Sequence, residues 1–235
     1  MLRTASFLLL FCFSTAYAVL NSFSMIPVTD PQTLSAVNDI QQQFVMHNFF
    51  FQQFMRPLDS LHFTIDVYNI TKDQEEGARK AIAEIARAMC SVWPETISFK
   101  GLNTFFSQEE VSVLFAEPDR VSNTFLTFFH DFANQTFAAH GIKSIDRYEF
   151  YEPHMTIMEI KKSDNEDLFW IIKQIYNRYD FKATAKIESL QFCYMGKKRV
   201  CEVVTKEQIA NCRSELPSQK KNGTFRSLLK KRVLA

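Results

Sequence analysis

Apolar and polar positions alternate without a break through Leu61-His62-Phe63-Thr64-Ile65-Asp66-Val67. That period of two marks a strand with one face buried. It assigns Leu61, Phe63, Ile65 and Val67 to the core face and leaves His62, Thr64 and Asp66 on the other. After Pro153 the pattern returns in His154 to Ile160, with Met155 and Ile157 on one face and His154, Thr156 and Met158 opposite. Elsewhere the period changes to that of a helix. Asp73 to Cys90 carries the apolar stripe Ala78, Ile82, Ile85 and Met89, with Asp73 as cap and Glu75 and Glu76 in the first turn. Asp30 and Pro31 open a helix to Phe44, and Pro118-Asp119 open another to about His140, which Gly141 stops. A further helix is predicted from Asp164 to Tyr179. Strands are predicted at Ile97–Phe105, Val111–Glu117, Ala185–Tyr194 and Arg199–Thr205, the last two turning at Gly196-Lys197-Lys198. Met46 to Met55, dense in Phe and Gln, takes no clear assignment.

Strand, helix, strand, strand thus occurs twice. Matched landmarks are evenly displaced: 154 − 62 = 92 for the histidines, 190 − 102 = 88 for Leu190 and Leu102, 200 − 111 = 89 for Val200 and Val111. Element order repeats while residues do not. The expected architecture is α+β, two-lobed and pseudo-symmetric. Each lobe is a small antiparallel sheet with helices packed outside, and a cleft lies between the lobes. The expected divisions are a signal peptide at 1–18, a helical segment at 19–57, the two-lobed domain at 58–213 and a basic tail at 214–235.

Composition adds a compartment. Met1-Leu2-Arg3, the apolar run Ala5 to Phe13 and the small-x-small Ala16-Tyr17-Ala18 form a cleavable secretory leader too short to span a bilayer. Secretion is therefore expected, with no stable membrane insertion. Asn69, Asn134 and Asn222 head sequons for N-glycosylation. Cys90, Cys193, Cys201 and Cys212 remain after cleavage and allow two disulfides in three connectivities. Cys193 and Cys201 lie symmetrically about Lys197 and face each other if the hairpin turns there. Net charge is +1, so any nucleotide site must be local rather than the product of a global field. The 24 phenylalanines point to a Phe-packed core. A monomer is the expected state.

Of the five histidines only His62 and His154 are followed two residues later by Ser or Thr. On a strand, positions i and i+2 project together, so each H-x-T sets an imidazole beside a hydroxyl. Two such strands brought together supply a neutral imidazole as base, a protonated one as acid, and two Thr hydroxyls for the non-bridging oxygens of a phosphodiester. Two histidines without a convergent third ligand fall short of the usual metal set, so no metal or other cofactor is expected. Asp66 can orient a histidine or end a strand in solvent. Tyr148 and Tyr151 are candidates to stack a base, with Phe150 assigned to the core. Lys197, Lys198 and Arg199 read as a charged turn.

The paired motifs resemble the 2H phosphoesterase superfamily, named for its paired H-x-[ST]. "LHFTIDV" and "PHMTIME", with "ISFKGLNTFF" and "VSVLFAEP", are most similar to the 2′,5′-phosphodiesterase-type domain of A-kinase anchoring protein 7 and its relatives, over about Leu58 to Val204. The resemblance implies a metal-independent phosphodiesterase acting on RNA, 2′,5′-linked oligonucleotides or 2′,3′-cyclic phosphate ends. His62, Thr64, His154 and Thr156 would be catalytic. A secreted nucleotide- or RNA-binding module that keeps the cleft without turnover is the competing expectation. The leader, sequons and cysteines depart from the intracellular members.

Overall fold

The structure is a computed structural model and describes residues 21–89, 94–107, 111–145, 150–195 and 200–205. Among the described residues eight strands form one open antiparallel sheet: β1 (Ser22–Pro27), β2 (His62–Tyr68), β3 (Thr96–Ser107), β4 (Val111–Pro118), β5 (Met155–Lys161), β6 (Thr184–Lys186), β7 (Ser189–Tyr194) and β8 (Val200–Thr205). Their order is β6-β3-β4-β5-β2-β1-β7-β8. Four α-helices accompany them, α1 (Pro31–His47), α2 (Glu75–Met89), α3 (Arg120–Ala139) and α4 (Glu166–Ile175). Their apolar stripes pack on one face of the sheet: Val37, Ile40 and Phe44 of α1, Ile82 and Ile85 of α2, Leu126 and Phe129 of α3, Leu168 and Ile172 of α4. Phenylalanines fill much of that core, where Phe63 stacks on Phe99 with centroids 5.5 Å apart.

The helix ends follow the chemistry of the sequence. Asp30 accepts from Thr33 N at 2.9 Å and caps α1, with Pro31 at its first position. Asp119 accepts from Ser122 N at 2.7 Å and caps α3. Gly141, at φ 77°, takes the left-handed turn after α3. Before α2 the cap is Thr71 with Gln74, a reciprocal box on a short 3₁₀ turn, rather than Asp73. Phe49–Phe54, within the unassigned stretch, is a 3₁₀ helix.

Three expectations change. The 19–57 segment does not precede the domain but belongs to it, because β1 lies between β2 and β7 and pairs with both. Its six residues are too short and too serine-rich to announce a strand. The predicted strand 185–194 is two strands: β6 pairs with β3 at one end of the sheet, and β7 pairs with β1 toward the other. The chain changes partners at Ile187, whose N–H bonds Glu95 O at 3.1 Å. Finally, the halves of the sequence interlace in the sheet. β5 joins β3, β4 and β6, while β2 joins β1, β7 and β8. Each motif strand therefore sits with the hairpin of the other half.

The two halves of the sheet meet at a single pair, Phe63 opposite Met155. Beyond it β2 and β5 diverge, and each exposed edge is covered. Along β5, Arg56 N bonds Ile157 O at 2.9 Å and Met55 bridges to Met158. Along β2, Ile145 N bonds Val67 O at 3.0 Å and Ser144 bridges to Tyr68. Among the described residues no helix is long and apolar enough to cross a membrane.

Candidate active site

An antiparallel pair at Phe63 and Met155 fixes where the motifs stand. Since 63 + 155 = 62 + 156 = 64 + 154, His62 continues the register opposite Thr156, and Thr64 opposite His154. At the Phe63–Met155 pair the strands are about 5 Å apart, and they diverge on either side of it. Phe63 and Met155 are fully buried toward the helices, so the residues flanking each of them project from the other face. Both imidazoles and both hydroxyls thus converge on one patch, where all four residues are half-buried.

Both rings are tethered alike. His62 Nδ1 lies 2.7 Å from Ser60 O, and His154 Nδ1 lies 2.7 Å from Glu152 O. A carbonyl oxygen only accepts, so each Nδ1 carries its hydrogen and Nε2 is the nitrogen with the lone pair. The backbone two residues upstream therefore sets the tautomer of both histidines. Nothing in the side-chain pattern announces it.

A second shared device follows each threonine. On β1, Ser24 pairs with Asp66 and Met25 with Thr64, so Ile65 is an extra residue on β2. On β4, Leu114 pairs with Met158 and Phe115 with Thr156, so Ile157 is an extra residue on β5. Each bulge falls three residues after its histidine and reverses the facing of the strand beyond it. Asp66 and Met158, placed by strict alternation beside the histidines, both turn to the opposite face. They are 1% and 0% exposed. Asp66 accepts hydrogen bonds from Val67 N and Ser144 Oγ. Burial and the nearby Asp66 carboxylate hold the Tyr68 hydroxyl well above its ordinary 10.0.

Aromatic rings wall the patch. Phe23 lies 5.8 Å from the His62 ring; Phe105 and Phe115 lie 5.0 and 5.4 Å from that of His154. Phe23, Met25 and Cys193 form a small cluster with Val67 and Cys201 on the same side. Glu117 follows Ala116, the partner of Met155, and so runs alongside His154, bonded to Lys100 at 2.8 Å. Nothing in the sequence pattern marks Phe23, Phe105, Phe115 or Glu117 as neighbours of the histidines, and Val67, assigned by alternation to the core face, joins this cluster instead. The alternation in "VSVLFAEP" carries Phe115 and Glu117, but only register across two strands brings them to His154.

A family model described as the AKAP7 2′5′ RNA ligase-like domain matches residues 20–202. The chain belongs to this family. An uncharacterised protein of Caenorhabditis elegans is 26% identical over 152 residues, covering 65% of this chain. The match takes in 62% of that relative's own length. The MHV ns2 PDE domain has the same fold, with TM-score 0.51 and 16% identity over 76% of this chain and 100% of its own. Kluyveromyces marxianus Usb1 gives TM-score 0.49 with 10% identity, over 77% and 96% of the two chains. Escherichia coli LigT in complex with 3′-AMP gives 0.47 with 10% identity, over 79% and 95%.

Within this AKAP7-type domain the remaining candidates find varied places. Tyr151 stacks on His130 at 4.3 Å, and its hydroxyl donates to Thr64 O at 2.8 Å. One face of its ring is thus covered, and its polar end closes the backbone beside the first motif. Phe150, assigned to the core, is instead 77% exposed. Tyr148 lies outside the described residues, as do Lys197, Lys198, Arg199, Cys90, Cys212, Asn222, the leader and the basic tail. Cys193 and Cys201 are paired in the β7–β8 ladder and joined by a disulfide. Asn69 lies in the loop after β2, whereas Asn134 sits within α3, with Thr136 buried and its hydroxyl bonded to Phe132 O. A sequon of that kind is a poor acceptor, because glycosylation favours exposed loops.

Proposed function

We propose that this protein is a secreted, metal-independent phosphodiesterase that cleaves RNA or 2′,5′-linked oligonucleotides, or opens 2′,3′-cyclic phosphate ends. The observation that carries this reading is the symmetric tether: two histidines on adjoining strands, each with Nδ1–H on a carbonyl and a lone pair on Nε2. One Nε2 takes the proton from the attacking hydroxyl or water, and the other, protonated, gives one to the leaving oxygen. Thr64 and Thr156 donate to the non-bridging oxygens as charge builds there. Support for acid–base chemistry without a metal comes from the donor set. Asp66 faces the other way, and no group of three or more His, Cys, Asp or Glu gathers among the described residues. Secretion is supported by the leader pattern in 1–18, the Cys193–Cys201 disulfide and the sequon at the Asn69 loop.

Mature protein with EDTA present, offered 2′,5′- and 3′,5′-linked oligoadenylates and a 2′,3′-cyclic nucleotide, tests the proposal. Cleavage lost in His62→Ala and in His154→Ala supports it. Tight binding without turnover would instead identify a binding module. Activity that disappears with the chelator would overturn the metal-free mechanism.

A further inference from the structure

The row of side chains that holds His154 and Thr156 does not end at the threonine. In β4, Phe115 pairs with Thr156 and Val113 with Glu159. Phe115 and Val113 are two residues apart on an unbroken strand, so they and their partners share one face. Glu159 is therefore the next residue beyond Thr156 on the face that carries His154, about 7 Å further along, the span of two strand residues. β2 has no such group. Beyond its bulge that face carries Val67, packed with Phe23, Met25 and Cys193.

Glu159 holds a cation. Arg56 Nη2 bonds Glu159 Oε2. The arginine is brought there by its backbone: Arg56 N donates to Ile157 O at 2.9 Å, and the buried Gln41 donates through Nε2 to Arg56 O at 2.8 Å. Ile157 is the residue after Thr156. The Arg56 side chain itself stays 48% exposed. A guanidinium has five N–H donors in a planar fork, and the bond to Glu159 uses one of them. That fork matches the oxygens of a phosphate. At the opposite end of the row, beside His154, Lys100 is paired with Glu117.

We propose that Arg56 binds the phosphate next to the scissile one in an oligonucleotide seated between His62 and His154. Glu159 aims the guanidinium and competes with that phosphate for it. The inference rests on the proposed phosphodiesterase reading, and it makes the site prefer chains that carry a second phosphate on the Arg56 side.

The test uses the mature chain carrying His62→Ala, so that ligands bind without turnover. Diadenylates in both linkages, with no terminal phosphate, with one at the 5′ end, or with one at the other end, are titrated by calorimetry. A terminal phosphate on the Arg56 side is expected to tighten binding about tenfold, the effect of one charge-assisted contact shared with Glu159. Adding Arg56→Gln should abolish that gain at one end only and leave the other two ligands unchanged. The edge contacts of Arg56 are backbone bonds, so this substitution removes only the guanidinium. Adding Glu159→Gln should act in the opposite sense, tightening the same ligand about two- to fivefold, the strength of an exposed ion pair. A pair that serves only the fold would weaken binding in both variants, and that result would overturn the inference. So would an Arg56→Gln loss of equal size for all three ligands. Diadenylate cleavage by the wild-type chain, with no gain in binding from either terminal phosphate, would sink the subsite alone. Failure of every ligand to bind or be cleaved would sink both readings.

Discussion

The two motif strands share a backbone plan and differ in what surrounds it. In β2 and in β5 a histidine is tethered through Nδ1 at 2.7 Å to a carbonyl two residues upstream. A threonine follows two residues later, and then a bulge at an isoleucine reverses the strand. Beyond the bulge the plans part. β2 sends Asp66 and Tyr68 into the core, while β5 sends Met158 and Ile160. Around the rings, His62 has Phe23 and the disulfide-backed cluster, whereas His154 has Phe105, Phe115 and the Glu117–Lys100 pair. The shared part is what phosphodiester chemistry needs from each side: a fixed tautomer and a hydroxyl on the same face. The parts that differ are free to set stability and substrate preference.

The largest expected effect tests the shared part. His62→Ala and His154→Ala should each lower kcat by about 10²- to 10⁴-fold, with the double variant little worse than either single one, since the groups act as a unit. A single variant with near-normal kcat would break the equivalence. Thr64→Val and Thr156→Val should follow, each costing about 100-fold in kcat with little change in KM, as expected for donors that matter most in the transition state.

Smaller effects separate the two surroundings. Cys193→Ala with Cys201→Ala should destabilise the chain by about 2 kcal/mol in a denaturant titration, since the bridge closes a short loop. Its effect on activity should run through the His62 side, where Phe23, Met25 and Cys193 pack together. Smaller still is an alkaline effect confined to the β2 side. The hydroxyl of Tyr68 ionises at higher pH in the folded chain than when unfolded. Its contribution is therefore complete below about pH 10 and is lost as pH rises toward the folded value. Stability should fall with pH above about 10, and Tyr68→Phe should flatten that fall. An unchanged slope in Tyr68→Phe would remove Tyr68 as its cause.

Much of the fold and part of the site can be read along the chain, and the gaps have physical causes. His62, Thr64, His154 and Thr156 stand out because i and i+2 share a face until something breaks the period. Asp66 and Met158 are misplaced by the same rule, because the bulges at Ile65 and Ile157 carry no glycine or proline to mark them. β1 is hidden by its shortness, and the β6–β7 division by an apolar–polar alternation, Ala185-Lys186-Ile187-Glu188, that continues through the change of partner at Ile187. The tethering carbonyls of Ser60 and Glu152 are backbone groups, which every residue possesses, so no residue type announces them. Glu117 and Phe105 reach His154 only through pairing across strands, which local pattern does not specify.

The proposed site stands on two H-x-T strands that hold two histidines in the same tautomer. Long-range ¹H–¹⁵N NMR of histidine-labelled mature protein, titrated with a nucleoside 2′-monophosphate, tests it directly. Both His62 and His154 should show the Nδ1–H form when neutral, and both Nε2 signals should shift together, saturating at one ligand per chain. An Nε2–H tautomer at either ring, or a shift confined to one of them, would contradict the account.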